Sequence, residues 1–190
     1  MNWVFVRAGL GPAVLAAGVV FGPAGHATGA QSKPDVWQPI RFMVGSWEGT
    51  AEGEPGSGTA RRSYAFVLKD RFLYERNVTT YPPQAANKAG EVHEHWSFFS
   101  YDRARKVLVL RQFHPEGFVN QYVLDAQASR PGKLVFVSEA LENLDKGWRA
   151  RETYEVRSQD EFVETFEVAE PGKELGVYSR THFKRARQAR

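Results

Sequence analysis

The sequence predicts an all-β protein, a single up-and-down antiparallel β-barrel of about ten strands with a short helical plug at its base. Apolar and polar residues alternate with a period of two along almost the whole chain. Short clusters of turn-forming residues interrupt this alternation at regular intervals, and no long segment has a helical period. A meander of ten strands leaves two unpaired edges, and closure into a barrel removes both of them.

The first 30 residues are typical of a signal peptide. Arg7 supplies the positive charge, residues 8–21 are apolar, and small residues follow, with candidate cleavage points after Ala27 and Ala30. We therefore expect export to the periplasm or secretion, with no membrane span once this segment is removed. Residues 31–37 are interpreted as a linker.

Residues 38–44 are predicted to form the helical plug, and the first strand, 46–53, follows at once. In this strand the large Trp47 shares one face with Gly49, Ala51 and Gly53. Such small residues suit a tightly curved wall where the backbone lies close to a neighbour. The pattern therefore predicts the first strand of a closed barrel.

Nine further segments alternate in the same way and complete the barrel, which spans 38–185. They are residues 59–69, 71–81, 91–101, 106–114, 117–125, 133–141, 148–157, 161–169 and 174–184. The loop 82–90 is the longest connection and a candidate element of the rim. Residues 186–190 are interpreted as a basic C-terminal tail.

Charge and composition exclude several classes of function. Residues 31–183 carry 20 basic and 22 acidic groups, so the body of the protein is not a basic nucleic-acid-binding domain. The chain of 190 residues has no cysteine, which excludes thiol catalysis, thiolate metal sites and thiolate ligation of haem. We find no nucleophile–base motif, phosphate loop or EF-hand, and we predict no catalytic residue.

The two ends of the predicted barrel resemble a known group. The segment GSWEG, which begins at Gly45, and the closing Phe183-Lys184-Arg185 are similar to the nitrobindin-like barrels and their uncharacterised lipocalin-like bacterial relatives. More broadly, they resemble fatty-acid-binding-protein and lipocalin barrels. The resemblance covers residues 38–185. It is closer to the uncharacterised bacterial relatives than to the nitrobindins themselves. Nitrobindins open with G-x-W-x-G-x-G, and this chain has Ala51 in place of the third glycine.

This resemblance implies an alternative function as a haem-binding protein with isomerase or detoxification activity. In nitrobindins a histidine five residues before the aromatic residue of the closing motif ligates the haem iron. Counting back from Phe183, this chain has Tyr178 at that position. Tyrosine also ligates ferric haem in some proteins. The resemblance therefore makes Tyr178 or His182 the candidate residue near the iron.

From the residues we predict a binding protein that holds a small amphipathic or anionic molecule, with no metal. Its candidate ligand-binding residues are Tyr74, Arg76, Trp96, Phe98, Arg111, Tyr122, Tyr178, Arg180 and His182. Arg111, Arg180 and Tyr178 would anchor the polar groups of the ligand. The guanidinium of an arginine suits a carboxylate because it donates two parallel hydrogen bonds to it. The alternate face of the last strand, with Ser179 and Thr181, is an equally good candidate for the inner wall.

Several ionisable residues share faces with aromatic or other apolar residues and would enter the cavity if those faces point inward. They are Arg76, Glu94, Arg111 and Glu152. A water-filled cavity with Arg–Glu pairs would satisfy them, as would a purely structural ion-pair network. A scaffold with a filled core and no cavity above about 300 Å³ is a further alternative.

The segment His93-Glu94-His95 has metal-ligand spacing, because residues i and i+2 of a strand share a face. A third ligand would have to come from elsewhere, and His114 ends the adjacent predicted strand. Trp96 and Phe98 lie on the opposite face, which resembles the core face. We therefore expect the two histidines to be exposed or to lie at the rim, without a metal.

Overall fold

The computed structural model describes residues 35–85 and 87–187. The predicted signal peptide, the start of the linker and the end of the basic tail lie outside these residues. The strands are β1 (Gly45–Gly53), β2 (Gly58–Val67), β3 (Phe72–Tyr81), β4 (Glu91–Asp102), β5 (Val107–Phe113), β6 (Val119–Leu124), β7 (Lys133–Glu142), β8 (Arg149–Ser158), β9 (Glu161–Ala169) and β10 (Gly176–Arg185).

Each strand pairs antiparallel with the next, and β1 pairs with β10, so the sheet is closed. The predicted all-β, ten-stranded antiparallel barrel is therefore confirmed. Strand boundaries differ from the predicted ones by a few residues, mainly at β6 and β10, which are shorter. Among residues 35–85 and 87–187, no helix is long and apolar enough to cross a bilayer.

The small residues of β1 are required by its neighbour β10. A Cβ atom on Gly49 would lie 2.9 Å from the Phe183 ring and from the carbonyl oxygen of His182. At Gly53, where φ is +149°, a Cβ atom would lie only 2.1 Å from the carbonyl oxygen of Tyr178. The close backbone approach that the sequence predicted at this strand is thus present, at the seam that closes the barrel.

A 3-10 helix precedes β1 at Gln38–Met43, within the helical segment predicted over 38–44. Ile40 and Met43 are fully buried in the core. Trp47 Nε1 donates a hydrogen bond to the carbonyl oxygen of Met43 at 2.6 Å. The chain that enters β1 is therefore fixed against the apolar interior.

The interior has two halves. The base half lies beside the 3-10 helix and the turns that follow β2, β4, β6 and β8, and aromatic and aliphatic side chains fill it. Trp47 and Phe162 contact edge to face with centroids 4.7 Å apart, and Phe162 stacks on Phe183 at 4.9 Å. The mouth half lies beside the turns that follow β1, β3, β5, β7 and β9. Its inner face carries polar and charged side chains as well as apolar ones.

Candidate functional site

A cavity of about 390 Å³ occupies the mouth half of the barrel. This volume falls within the range of small-molecule sites, about 300–1,000 Å³. The alternative of a scaffold without a cavity is therefore not supported. Apolar side chains line the outer part of the cavity, at Phe118, Leu141, Leu144, Trp148, Phe166 and Val168.

The floor of the cavity contains a buried ion network centred on Arg62. Its guanidinium donates two hydrogen bonds to the carboxylate of Glu164, at 2.5 and 2.7 Å. Its Nε lies 2.9 Å from Asn77 Oδ1 and 3.2 Å from Glu75 Oε1. The paired geometry offsets the desolvation of these charges, because each ion has a partner and hydrogen bonds.

Glu75 connects this network to a histidine cluster. Its side chain is fully buried, and its Oε1 lies 3.2 Å from His95 Nε2. Burial opposes ionisation of Glu75, but the charge of Arg62 and the hydrogen bond from His95 outweigh it and lower the pKa of the carboxyl. Glu75 is therefore an ionised carboxylate that accepts a hydrogen bond from the imidazole.

Three histidines from two neighbouring elements meet at one wall of the cavity. His93 and His95 lie on β4, and His114 follows β5. One ring nitrogen from each lies within 4.8 Å of the others. Burial, and then His95, lower the pKa of His93, and burial with the two neighbouring rings lowers the pKa of His114 to about 3. His93 and His114 are therefore neutral near pH 7.

Glu152 is a third buried carboxyl at the cavity, and its strand face points inward, as the sequence interpretation considered. Its Oε1 lies 3.4 Å from Gln112 Nε2, and its Oε2 has no protein partner among the described residues. Burial raises the pKa of Glu152 well above its usual range, and the charge of Glu164 adds to this. Burial therefore favours the neutral carboxylic acid form of Glu152, which is able to donate a hydrogen bond.

The cavity has an excess of negative charge. Of the described residues that line it, Arg62 is the only lysine or arginine, and two carboxylates already hold it. Glu91 and Glu116 lie at the rim with side chains that are a little under half exposed. An anionic ligand would thus meet no free cation among these lining residues. This corrects the expectation that arginines inside the barrel anchor an anion.

Most of the residues predicted from the sequence lie on the outer wall. Tyr122 is fully buried inside the barrel, and Tyr178 borders the cavity at its mouth. The others face outward, opposite to the inner-face residues of their strands: Tyr74, Arg76, Trp96, Phe98, Arg111, Arg180 and His182. The same correction applies to Glu94, which pairs with Arg76 outside the barrel at 2.8 and 3.0 Å.

The physical reason is an aromatic cluster on the outer wall. Tyr74 contacts Trp96 and Phe98 across β3 and β4, with centroids 5.9 and 5.1 Å apart. Trp96 nevertheless remains 50% exposed. Cross-strand aromatic pairs stabilise a sheet on either face, so their presence does not identify the core side. Arg111, which donates to Gln121 and Ser100, lies on this same wall.

A β-bulge in β10 changes which residues share a face. The register shifts between Val177 and Ser179, so Tyr178 is not in step with Arg180 and His182. Ser179 and Thr181 line the cavity instead, which is the alternate face considered from the sequence. Arg180 and His182 line an open groove on the outer wall.

The cavity does not fit the haem group that the resemblance implies. Tyr178 is 40% exposed at the rim, where its ring contacts Phe166 edge to face. Burial, and then Glu91, raise the pKa of its hydroxyl, which disfavours the tyrosinate that ligates ferric iron. His182, the other candidate, lies on the outer wall. The floor below is charged, whereas a porphyrin requires apolar faces.

Comparison with known proteins identifies the fold alone. No family model matches the sequence, and no curated protein matches it either. The crystal structure of Rv2717c from M. tuberculosis is similar, with a TM-score of 0.61 over 81% of this chain and 99% of that chain. The two sequences are 16% identical, so the similarity supports a shared barrel and carries no activity across.

Proposed function

We propose that this protein is a binding barrel for a small amphipathic molecule, which enters at the mouth and carries a neutral or cationic polar group. The observation that supports this most is a set of buried polar atoms at the cavity that have no partner among the described residues. They include Glu152 Oε2, Asn120 Oδ1, His95 Nδ1 and His114 Nδ1. Unpaired buried polar atoms cost free energy, and a bound polar group would satisfy them.

The proposed ligand would lie along the axis of the barrel. Its apolar part would contact Phe118, Trp148 and Phe166, and its polar group would reach Glu152 and the histidine cluster. A cationic group is favoured over an anionic one, because Glu75 and Glu164 together outweigh the charge of Arg62. We also propose that the 3-10 helix closes the base, so that the mouth is the route of entry.

The test is calorimetric titration with three probes that share an octyl chain: octyltrimethylammonium, 1-octanol and octanoate. We expect the cation and the alcohol to bind with similar affinity and octanoate at least about tenfold more weakly, a difference of about 1.4 kcal/mol. Tightest binding of octanoate, or no binding of any probe, would contradict the proposal.

The haem alternative has its own test. Titration of the wild type with haem should not shift the Soret band in a way that depends on Tyr178 or His182. Any shift that does occur should therefore persist in Tyr178→Phe and in His182→Ala. A shifted band that disappears in Tyr178→Phe would restore that alternative and overturn the assignment made here.

We further propose that the protein acts outside the cytoplasm, after cleavage of a signal peptide that ends at Ala27 or Ala30. The apolar segment after Arg7 and the small residues before Ala27 and Ala30 support this. N-terminal sequencing of the protein from its own host should find a start at position 28 or 31. A mature chain that begins at Met1 would contradict it.

A further inference from the structure

We propose that His93, His95 and His114 form a binding site for one divalent metal ion of the zinc class, open toward the cavity. The site shares the cavity with the proposed ligand but needs no organic molecule in order to form. Metal binding and ligand binding are therefore separable by experiment.

The fold brings the three side chains together for a simple reason. His93 and His95 are two residues apart on β4, so both side chains point to the same face of the strand. The register of β4 with β5 pairs Trp96 with Phe113, which places His114 beside His95 at the end of the ladder. Three of the five histidines in the chain thus meet on the inner wall.

The spacing of the rings matches one shared ion. Their centroids are 5.7 Å apart for His93 and His95, 5.7 Å for His93 and His114, and 5.4 Å for His95 and His114. Three imidazoles bound to zinc at about 2.0–2.1 Å in a tetrahedral arrangement would have centroids roughly 5 Å apart. One ring nitrogen of each histidine lies within 4.8 Å of the others. The nitrogens of such a zinc site would be roughly 3.4 Å apart, so side-chain shifts of about 1 Å would complete the coordination.

Neighbouring groups set the tautomers that such a site requires. Glu75 Oε1 accepts the Nε2–H of His95 at 3.2 Å, so its buried Nδ1, which has no protein partner among the described residues, carries the free lone pair. Glu116 Oε1 lies 3.3 Å from Nδ1 of His93. If that nitrogen carries the proton, Nε2 of the same ring is free to bind the metal. A carboxylate behind a ligating histidine is the usual arrangement at zinc sites, because it fixes the ring and raises its basicity.

His114 is held in a similar way. Its ring packs on Phe118 with centroids 4.6 Å apart, and its Nε2 lies 3.2 Å from the side-chain amide of Asn120. Asn120 Oδ1 has no partner among the described residues. If the side-chain amide of Asn120 is flipped, its Oδ1 accepts a hydrogen bond from Nε2–H of His114. The buried Nδ1 of His114 is then free to bind the metal.

The donor set indicates the ion and the class of site. Three imidazole ligands suit zinc and its neighbours in the first transition row, not magnesium or calcium, which prefer oxygen. Three protein ligands leave a fourth position free for water or a bound molecule, as in catalytic zinc sites and unlike closed structural ones. The carboxylates of Glu75, Glu91 and Glu116 add favourable negative charge around the ion.

The test uses the full chain without a histidine tag, stripped with a chelator and titrated at neutral pH with zinc by calorimetry and with cobalt by visible absorption. We expect one ion per chain and a cobalt spectrum typical of tetrahedral nitrogen coordination. His93→Ala, His95→Ala and His114→Gln should each weaken zinc binding by about 100-fold or more, and Glu75→Gln by about 10–100-fold.

His182→Ala is the matched control, because His182 lies on the outer wall. It should change the affinity less than twofold. Far-ultraviolet circular dichroism would show that each variant is folded, and His114→Gln, at the edge of the cluster, disturbs the core least. The inference is overturned if the wild type binds no zinc, or if His182→Ala weakens binding as much as the cavity variants. Probe binding by the octyl series without zinc binding would overturn the metal site and leave the proposed function standing.

Discussion

The base half and the mouth half of the barrel are built from the same ten strands but differ in what they bury. In the base half, aromatic and aliphatic side chains such as Trp47 and Phe162 fill the space. In the mouth half, Arg62, Glu75, Glu152 and Glu164 are buried around a cavity. Apolar packing stabilises a fold, whereas buried ionisable groups reduce its stability unless they are paired. The difference shows that the base supplies most of the apolar packing, and it supports the proposal that the mouth half holds the ligand.

The largest expected effect is in the base half. Phe162→Ala should lower the free energy of unfolding by about 3–5 kcal/mol, because the ring is fully buried between Trp47 and Phe183. Phe166→Ala, on the same strand and the same face but at the mouth, should cost no more than about 1–2 kcal/mol, since its ring is only partly buried. Urea denaturation of both variants measures the contrast. Equal losses would mean that the halves are not distinct.

A second effect concerns the ion network in the floor. Arg62→Met should cost about 3 kcal/mol, because it leaves the carboxylates of Glu75 and Glu164 buried without their cation. The double variant Arg62→Met/Glu164→Gln should recover part of this loss. Urea denaturation of the single and double variants measures both values. A loss below about 1 kcal/mol for the single variant would show that the network is not needed.

The pH dependence of stability provides a third contrast. Because burial raises the pKa of Glu152 above its ordinary 4.5, the folded protein keeps a proton that the unfolded chain releases. The contribution of Glu152 to the free energy of unfolding therefore becomes more unfavourable as the pH rises from about 4.5 toward neutrality. Glu152→Gln should be more stable than wild type at pH 7, and the difference should shrink as the pH falls toward 4.5. Thermal denaturation across this range checks the sign, and a constant difference would contradict it.

The smallest effect is expected on the outer wall. Arg180→Ala and Arg111→Ala should each change stability by less than about 0.5 kcal/mol, because both side chains lie outside the barrel in polar contacts. Neither should alter the affinity for the octyl probes. Weaker probe binding in either variant would instead indicate a ligand site on the outer wall.

The fold was predictable from the sequence, and the orientation of its strands was not. The alternation and the turn residues specified ten strands. Gly49 and Gly53 indicated that a neighbouring backbone lies close to the first strand. Both signals are local, so the sequence shows them directly. Alternation defines two faces without saying which is inside. On β4 the larger aromatic residues, Trp96 and Phe98, lie outside, whereas His95 and Ser97 are buried.

Two features of the site escaped sequence reasoning for physical reasons. The bulge in β10, which separates Tyr178 from Arg180, depends on pairing with β9 and leaves no local signature. The buried network joins Arg62 to Glu164, residues distant in the chain that approach only when the barrel is closed. The spacing of His93 and His95 with His114 was visible, and correct assignment of the inner face of β4 would have identified the cluster.

The central claim is that the mouth half holds a small molecule. Ala150 lines the cavity and is buried, whereas its neighbour Arg149 is exposed, so Ala150→Phe blocks the cavity and Arg149→Phe is its matched control. Native mass spectrometry of the protein purified from its own host measures the bound ligand directly. We predict an additional bound mass on wild type and Arg149→Phe that is absent from Ala150→Phe. Absence of any bound mass from wild type, or its retention by Ala150→Phe, would contradict the claim.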